Sequence, residues 1–215
     1  MYRKIVFLLI AAVMVLMVIP DAEAKKGFYT GFGVVYNTIA GDFNGAGVLR
    51  NDTDVIIVPD INDALGIDLR GGYGFTDAWA IELNLMISEH NGTWSNFKGD
   101  VNFVSFSING KYSFPSSSMT RPYLLFGISG NSLFIQDGAE DTVTGEIADA
   151  TLSGPGINLG AGIDQYLSPN VSLSLGAMYR YVDYVDAEGV NQSGTIDDEL
   201  DGSGFSFLLT TAYHF

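Results

Sequence analysis

The sequence contains no cysteine. A disulfide framework is therefore excluded, and so is the cysteine-linked lipid anchor of a lipoprotein. Basic residues are also scarce, because 10 Lys and Arg stand against 25 Asp and Glu, which gives a formal net charge of −15. Nucleic-acid binding depends on surfaces rich in Lys and Arg, so this charge balance argues against a nucleic-acid partner.

One long apolar run is present, and it lies at the N-terminus. Arg3 and Lys4 precede the apolar residues 5–19, and Ala22-Glu23-Ala24 follows them. A basic segment, an apolar segment and an A-x-A site are the parts of a secretory signal peptide. The alternative is a membrane anchor, which needs about 20 apolar residues. We therefore expect cleavage after Ala24, with Ala22 and Ala24 forming the cleavage signal, and a single domain in residues 25–215.

Beyond residue 24 no segment is apolar enough for a membrane helix. The chain is nevertheless hydrophobic, with a mean hydropathy of +0.21, and it contains 26 glycines and 13% aromatic residues. An exported chain of this composition has one common membrane structure, the closed β-barrel, in which neighbouring strands satisfy every backbone polar group.

Alternation of apolar and polar residues supports this interpretation. In the last eleven residues, aromatic and apolar side chains from Phe205 to Phe215 occupy every second position, which is typical of a strand with two different faces. Similar stretches of roughly ten residues, the length of a tilted membrane strand, recur along the chain. The eight predicted strands are residues 27–40, 64–75, 78–88, 101–114, 122–134, 156–167, 171–184 and 205–215.

The segments between these strands alternate in length, as they do in outer-membrane barrels. Short turns at residues 76–77, 115–121 and 168–170 alternate with long loops at residues 41–63, 89–100, 135–155 and 185–203, which carry most of the acids. The sequence therefore predicts an all-β fold, an eight-stranded antiparallel up-and-down transmembrane β-barrel. Ten strands are the alternative, because the apolar residues 55–58 could form an extra strand above the membrane or a plug at the rim.

Charged residues occur on the predicted inner faces of the strands, where each needs a partner of opposite charge. We expect Arg70, Glu82 and Lys111 to form an ionic cluster, and Asp164 or Asp68 to pair with Arg180. Such a cluster would hold the barrel together or, alternatively, gate a narrow pore.

Sites for catalysis or metal binding are poorly supported. The two histidines, His90 in a predicted outer loop and His214 on an inner face, have no recognisable hydrolase motif beside them. We therefore expect neither catalysis nor a cofactor. The acids of the last loop lack EF-hand spacing and are only weak candidates for calcium ligands; they are Asp197, Asp198, Glu199 and Asp201.

Taken together, these features resemble the small outer-membrane β-barrel proteins of Gram-negative bacteria, the OmpA/OmpX-type barrels and their porin-like relatives. The resemblance rests on the signal peptide, the eight strands, Arg121-Pro122-Tyr123, the glycine-rich sixth strand and the terminal Tyr213-His214-Phe215. It implies a monomer in the outer membrane, in contact with lipid and lipopolysaccharide. It also implies that Phe215, supported by Tyr213, is a signal to the barrel assembly machinery.

The resemblance implies a structural role in the envelope with at most narrow-pore permeability. Two alternatives stay open. The acidic outer loops could form a surface module that binds a host surface or ligand, with divalent cations as possible bridges, or the barrel could conduct small hydrophobic molecules.

Overall fold

The computed structural model describes residues 26–50, 52–94, 97–116, 118–191, 193–196 and 199–215. The expected cleavage signal at Ala22 and Ala24 lies outside these residues, as do Asp197 and Asp198. Within the described ranges, no helix is long and apolar enough to cross a membrane.

The described residues form thirteen β-strands. In chain order these are β1 (Gly27–Asn37), β2 (Gly47–Arg50), β3 (Asp54–Val58), β4 (Asp60–Ile61), β5 (Ala64–Gly74), β6 (Trp79–Trp94), β7 (Phe97–Ser113), β8 (Thr120–Asp141), β9 (Ile147–Ser168), β10 (Val171–Val182), β11 (Asp186–Glu188), β12 (Ser193–Thr195) and β13 (Gly204–His214).

Eight of these strands close into a ring. Each pairs antiparallel with the next in the order β1, β5, β6, β7, β8, β9, β10 and β13, and β13 returns to β1. The closing ladder runs from Tyr29 opposite His214 to Asn37 opposite Ser206. The eight-stranded antiparallel barrel predicted from the sequence is therefore confirmed, and the ten-stranded alternative is wrong because the added strands lie outside the ring.

The two faces of the ring differ as the alternation predicts. On β1 the Phe32 side chain is 68% exposed on the outer surface, whereas on β13 the Ser206 side chain is completely buried inside. Aromatic rings contact one another on the outer surface near both ends, for example Phe28 with Tyr73 at 4.8 Å and Tyr179 with Phe205 at 5.1 Å between centroids. Such rings are typical of the two boundaries of a membrane-spanning barrel.

At the end with the long connections, which we call the long-loop end, several predicted boundaries are wrong. β6 continues to Trp94, and β7 already begins at Phe97. In the same way, β8 continues to Asp141, and β9 already begins at Ile147. Above the membrane an outward residue has no need to be apolar, so the hydrophobic alternation stops while the backbone ladder continues.

Short strands extend this end of the barrel further. β3 pairs with β2 and with the tip of β8, and β11 pairs with β12 and with β9. The apolar residues 55–58 thus belong to an extra strand, β3, as one of the two hypotheses predicted. Ile56 and Val58 on the same strand are buried in the barrel mouth, so β3 also contributes to a plug.

We expect the purified barrel to migrate faster on a denaturing gel when unheated than after boiling, because a closed ring of strand pairs resists detergent. Equal migration of the two samples, together with a helical circular dichroism spectrum, would contradict the fold.

Substitution of Gly33, which lies in the closing ladder between β1 and β13, tests how tightly these strands pack, and Gly71 on β5 provides the control. A Cβ atom at Gly33 would lie 2.2 Å from the Leu209 carbonyl oxygen, whereas a Cβ atom at Gly71 would have no atom within 4 Å. Gly33→Ala should lower the free energy of unfolding by about 1–3 kcal/mol, because the strands must separate to admit the methyl group.

The matched control, Gly71→Ala, should change this free energy by less than about 0.5 kcal/mol. Urea unfolding in lipid vesicles, followed by tryptophan fluorescence, measures both variants. Equal losses in the two variants would show that the close approach at Gly33 does not limit packing.

Candidate functional site: the barrel interior

Five charged side chains meet inside the half of the barrel near the short turns, and we call them the ionic cluster. Arg70 Nη2 lies 2.6 Å from Asp68 Oδ2, and Arg70 Nη1 lies 3.8 Å from Glu82 Oε2. Lys111 Nζ lies 3.5 Å from Glu82 Oε1 and 2.7 Å from Asp164 Oδ2. All five are buried, so Glu82 links two cations in a region from which water is largely excluded.

The strand order brings these residues together. Asp68 and Arg70 stand two residues apart on β5 and so share the inner face, while Glu82, Lys111 and Asp164 come from β6, β7 and β9. Because neighbouring strands are only about 4.8 Å apart, long charged side chains can bridge them.

Amide and hydroxyl groups complete the cluster. Asn84 Nδ2 donates to Asp68 Oδ1 at 3.3 Å, and Asn109 Nδ2 donates to Asn84 Oδ1 at 2.9 Å. Asn158 Nδ2 donates in turn to Asn109 Oδ1 at 3.1 Å. Thr210 on β13 donates its hydroxyl to Asp68 Oδ2 at 3.1 Å. The network therefore crosses the barrel from the closing strand to β9.

Arg121 is an interior base that sequence reasoning did not assign to the interior. Its guanidinium carbon lies 5.9 Å from the Tyr166 ring centroid, and its Nη1 donates to the Asp77 carbonyl at 3.3 Å. In the β8–β9 ladder, its Cα atom lies opposite that of Asp164. Its position in the inward phase of β8, next to Tyr123, was the available signal.

The expected pairing of Arg180 with Asp68 or Asp164 is wrong. Asp68 forms its ion pair with Arg70, and Asp164 forms its ion pair with Lys111. Along β10, Asp164 lies opposite Ser174 and Arg180 lies six residues further on, a separation of about 20 Å that no side chain spans. Arg180 is instead buried with its guanidinium carbon 4.4 Å from the Phe103 ring centroid.

An apolar cluster, which we call the apolar plug, fills the mouth of the barrel at the long-loop end. It combines the inner faces of the extended strands with side chains from the connections after β1 and β10 and before β13. The inward residues Val101, Phe103, Leu133 and Ile135 continue the alternating phase, so the pattern itself indicated an apolar mouth. The plug comprises Ile39, Phe43, Ile56, Val58, Ile61, Val101, Phe103, Leu133, Ile135, Ala139, Ala150, Leu152, Val182, Tyr184 and Leu200.

His90 lies inside the barrel, whereas the sequence predicted it in an outer loop. The reason is the extension of β6, which keeps His90 in the inward phase. Its Nε2 lies 2.8 Å from Ser88 Oγ, and its Nδ1 lies 2.7 Å from the Asn62 carbonyl. Asn37 Nδ2 donates to Ser88 Oγ at 2.9 Å, so these polar groups form a hydrogen-bonded chain between β1 and β6 on the inner face of the barrel.

His214 faces the interior near the short turns, as predicted. Its Nε2 lies 2.9 Å from Ser172 Oγ, and its ring lies between Tyr29 and Tyr166, at centroid distances of 5.1 and 5.3 Å. The terminal Phe215 and Tyr213, by contrast, project from the outer surface with their rings 5.2 Å apart.

Space inside the barrel is small. A cavity of about 20 Å³ lies beside Arg70, Asn84, Asn109 and Tyr123. That volume holds roughly one water molecule.

Of the predicted metal ligands, the structure describes Glu199 and Asp201, and each carboxylate accepts a hydrogen bond. Glu199 Oε1 accepts a hydrogen bond from the Tyr181 hydroxyl at 2.5 Å, and Asp201 Oδ1 accepts one from the Ser203 amide at 2.8 Å. In the part of the chain that the structure describes, no group of three or more His, Asp or Glu could hold a metal ion.

Asp141 and Tyr184 are among the groups outside the membrane-spanning part that have shifted pKa values. Backbone N–H groups of Thr144 and Val143 donate to Asp141 and lower the pKa of its carboxyl group. Burial raises the pKa of the Tyr184 hydroxyl, and the nearby charge of Arg180 opposes that increase. Asp141 therefore stabilises the β8–β9 turn as an anion, while Tyr184 is a neutral hydrogen-bond donor.

Comparison with solved structures shows that this fold is shared with other small outer-membrane barrels, among them the following three. OprG of Pseudomonas aeruginosa matches with a TM-score of 0.62 and 16% identity, over 90% of this chain and 98% of that one. Neisserial surface protein A matches with a TM-score of 0.57 and 15% identity, over 88% and 97%. Ail, the attachment invasion locus protein of Yersinia pestis, matches with a TM-score of 0.51 and 15% identity, over 89% and 100%.

A search of curated proteins gives no match. The sequence pattern of the outer membrane protein β-barrel domain, however, matches residues 6–215. This match and the closed ring of eight strands lead to the same conclusion: the chain belongs to the outer membrane protein β-barrel domain family and is an outer-membrane protein.

Proposed function

We propose that the protein is a monomeric, closed barrel that supports the integrity of the outer membrane and passes at most very small solutes. The observation that carries this proposal is the filling of the interior at two levels. The ionic cluster fills the half near the short turns, and the apolar plug fills the mouth at the long-loop end.

A filled interior favours a structural role over a pore. An eight-stranded barrel is only wide enough to be filled by its own side chains. A solute would have to displace the apolar plug and then separate Glu82 from Arg70 and Lys111. The alternative role as a conduit for small hydrophobic molecules meets the same barrier, because an apolar molecule gains nothing among buried charges.

Export and assembly fit this role. We propose that the signal peptide is cleaved after Ala24 and that the assembly machinery recognises Phe215 with the support of Tyr213. Both rings are exposed at the end of β13, the strand that closes the barrel. The outward apolar residues would contact lipid and lipopolysaccharide.

Catalysis is not part of the proposal. Nucleophilic catalysis needs a Ser–His contact that a substrate can reach. The contacts of Ser88 with His90 and of Ser172 with His214 are both enclosed by the barrel wall. We propose that they contribute hydrogen bonds to the interior and that no cofactor is required.

The Glu82→Gln substitution separates a structural cluster from a gate. Removing this charge leaves Arg70 paired with Asp68 and Lys111 paired with Asp164 but breaks the link between the two pairs, so the free energy of unfolding should fall by about 1–3 kcal/mol. Conductance across planar bilayers should stay as low as that of the unmodified protein, because the apolar plug is unchanged. Urea unfolding and single-channel recording measure the two effects.

Glu89→Gln on the same strand is the control, since Glu89 is exposed and its loss should change stability by less than about 0.5 kcal/mol. A Glu82→Gln barrel with unaltered stability and raised conductance would assign the cluster to gating instead.

A second candidate function is binding at the cell surface. The observation that favours it is the ordered outer extension, in which β2 and β3 continue from β8 while β11 and β12 continue from β9. Ail has been solved in complex with the heparin analogue sucrose octasulfate, with a TM-score of 0.51 to this chain. The acids of this extension would repel such a polyanion, so we propose a cationic surface or a divalent-cation bridge as the partner.

This second function predicts that neutralising exposed acids weakens adhesion. Glu140→Gln combined with Glu146→Gln, both on exposed positions near the β8–β9 turn, should reduce attachment of cells to a polylysine-coated surface severalfold. Resistance of the same cells to detergent should not change, because the barrel is intact. Unaltered attachment would leave only the structural role.

A further inference from the structure

Arg180 is a buried cation without an anion beside it. Its guanidinium is completely buried, stacks on the Phe103 ring and donates one hydrogen bond from Nη2 to the Thr38 carbonyl at 3.1 Å. Among the described residues, no carboxylate lies within 4.0 Å, and Nε and Nη1 have no hydrogen-bond acceptor. A buried charge without a partner is costly. It is unusual here because acids outnumber bases in this chain by 25 to 10, and yet no acid pairs with Arg180 among the described residues.

Tyr184 is a second donor of the same kind in the same apolar plug. The side chain is completely buried, its ring packs edge-to-face on Phe43 at 5.6 Å, and its hydroxyl has no partner among the residues that the structure describes. Phe103, on which Arg180 stacks, is a member of this plug as well. Two orphan donors, one of them charged, therefore share one apolar environment.

We propose that the apolar plug contains a binding site for an amphipathic monocarboxylate, whose carboxylate group accepts hydrogen bonds from Arg180 and Tyr184. A carboxylate accepts about four hydrogen bonds. Nε and Nη1 of Arg180 supply three N–H groups, and Tyr184 supplies one O–H group. Hydrogen bonds between a guanidinium and a carboxylate are about twice as strong as neutral ones, which suits a buried position.

The surroundings select the rest of the ligand. The walls of the plug are apolar, so the body of the ligand must be apolar too. The net charge of −15 repels multiply charged anions, which favours a ligand with a single negative charge. A small hydrophilic anion would accept hydrogen bonds from Arg180 and Tyr184 but would make none of the apolar contacts, so it should bind more weakly.

Entry of the ligand requires movement of the connection after β1. This connection provides the Thr38 carbonyl, which is the acceptor for Arg180, and Ile39 and Phe43, which are part of the plug. Because the carboxylate of the ligand uses Nε and Nη1, the hydrogen bond from Nη2 to Thr38 can persist while the side chains of Ile39 and Phe43 move to admit the apolar body. Binding at the plug goes beyond the structural role and does not rest on it.

The test uses octanoate as the probe and the complete barrel in nanodiscs of zwitterionic lipid, with empty nanodiscs subtracted. Octanol matches its apolar body without the charge, and acetate matches its charge without the body. Isothermal titration calorimetry should show octanoate binding at least about tenfold more tightly than either of them, since both halves of the site are needed.

Variants then assign the donors. Arg180→Met should weaken octanoate binding at least about tenfold, and Tyr184→Phe about threefold or more, while octanol binding changes less than about twofold. Arg50→Met, which removes an exposed base from β2, is the control and should leave octanoate binding unchanged. Faster gel migration of unheated samples verifies that each variant is folded.

Three results would overturn the proposal: equal affinity of octanoate for the Arg180→Met and unmodified barrels, octanol binding as tightly as octanoate, or acetate binding as tightly as octanoate. If Arg180→Met fails to fold, Tyr184→Phe decides the question alone, because it removes a single buried oxygen. Octanoate affinity that is unaltered in Tyr184→Phe would then refute the site.

Discussion

The structure depends on one constraint, the pairing of every backbone polar group in a strand that crosses lipid. An open sheet would leave two edges unpaired, and in hydrocarbon no water can replace the missing partners. The ladder between β1 and β13 removes these edges by joining the first strand to the last. Close approach of Gly33 to the backbone of β13 shows how tightly the two strands meet.

Closure of eight strands also dictates what the interior contains. The enclosed space is so narrow that side chains fill it, and charged groups must find partners within it. In the half near the short turns, acids and bases meet across β5, β6, β7 and β9, and Glu82 joins Arg70 to Lys111. In the outer mouth, apolar side chains take over and bury Arg180 without a carboxylate. The same barrel thus holds a compensated and an uncompensated set of charges.

Much of the fold could be predicted from the sequence because the alternation of side chains is a local property. The inward phase of Arg70, Glu82 and Lys111 and the order of their strands were sufficient to place these three side chains near one another. Boundaries above the membrane could not be predicted in this way, since β6 to β9 continue after the outward residues cease to be apolar. His90 was misplaced for that reason.

The sequence by itself determined the class of fold, the number of strands in the ring and the face on which each side chain stands, because a period of two follows directly from strand geometry. Only the tertiary structure decided which charges pair. Partner choice depends on strand register and on position along the barrel axis, and these set Asp164 beside Lys111 while leaving Arg180 about 20 Å away. The joining of distant connections into the apolar plug was likewise decided by closure, which brings chain segments far apart in sequence around one mouth.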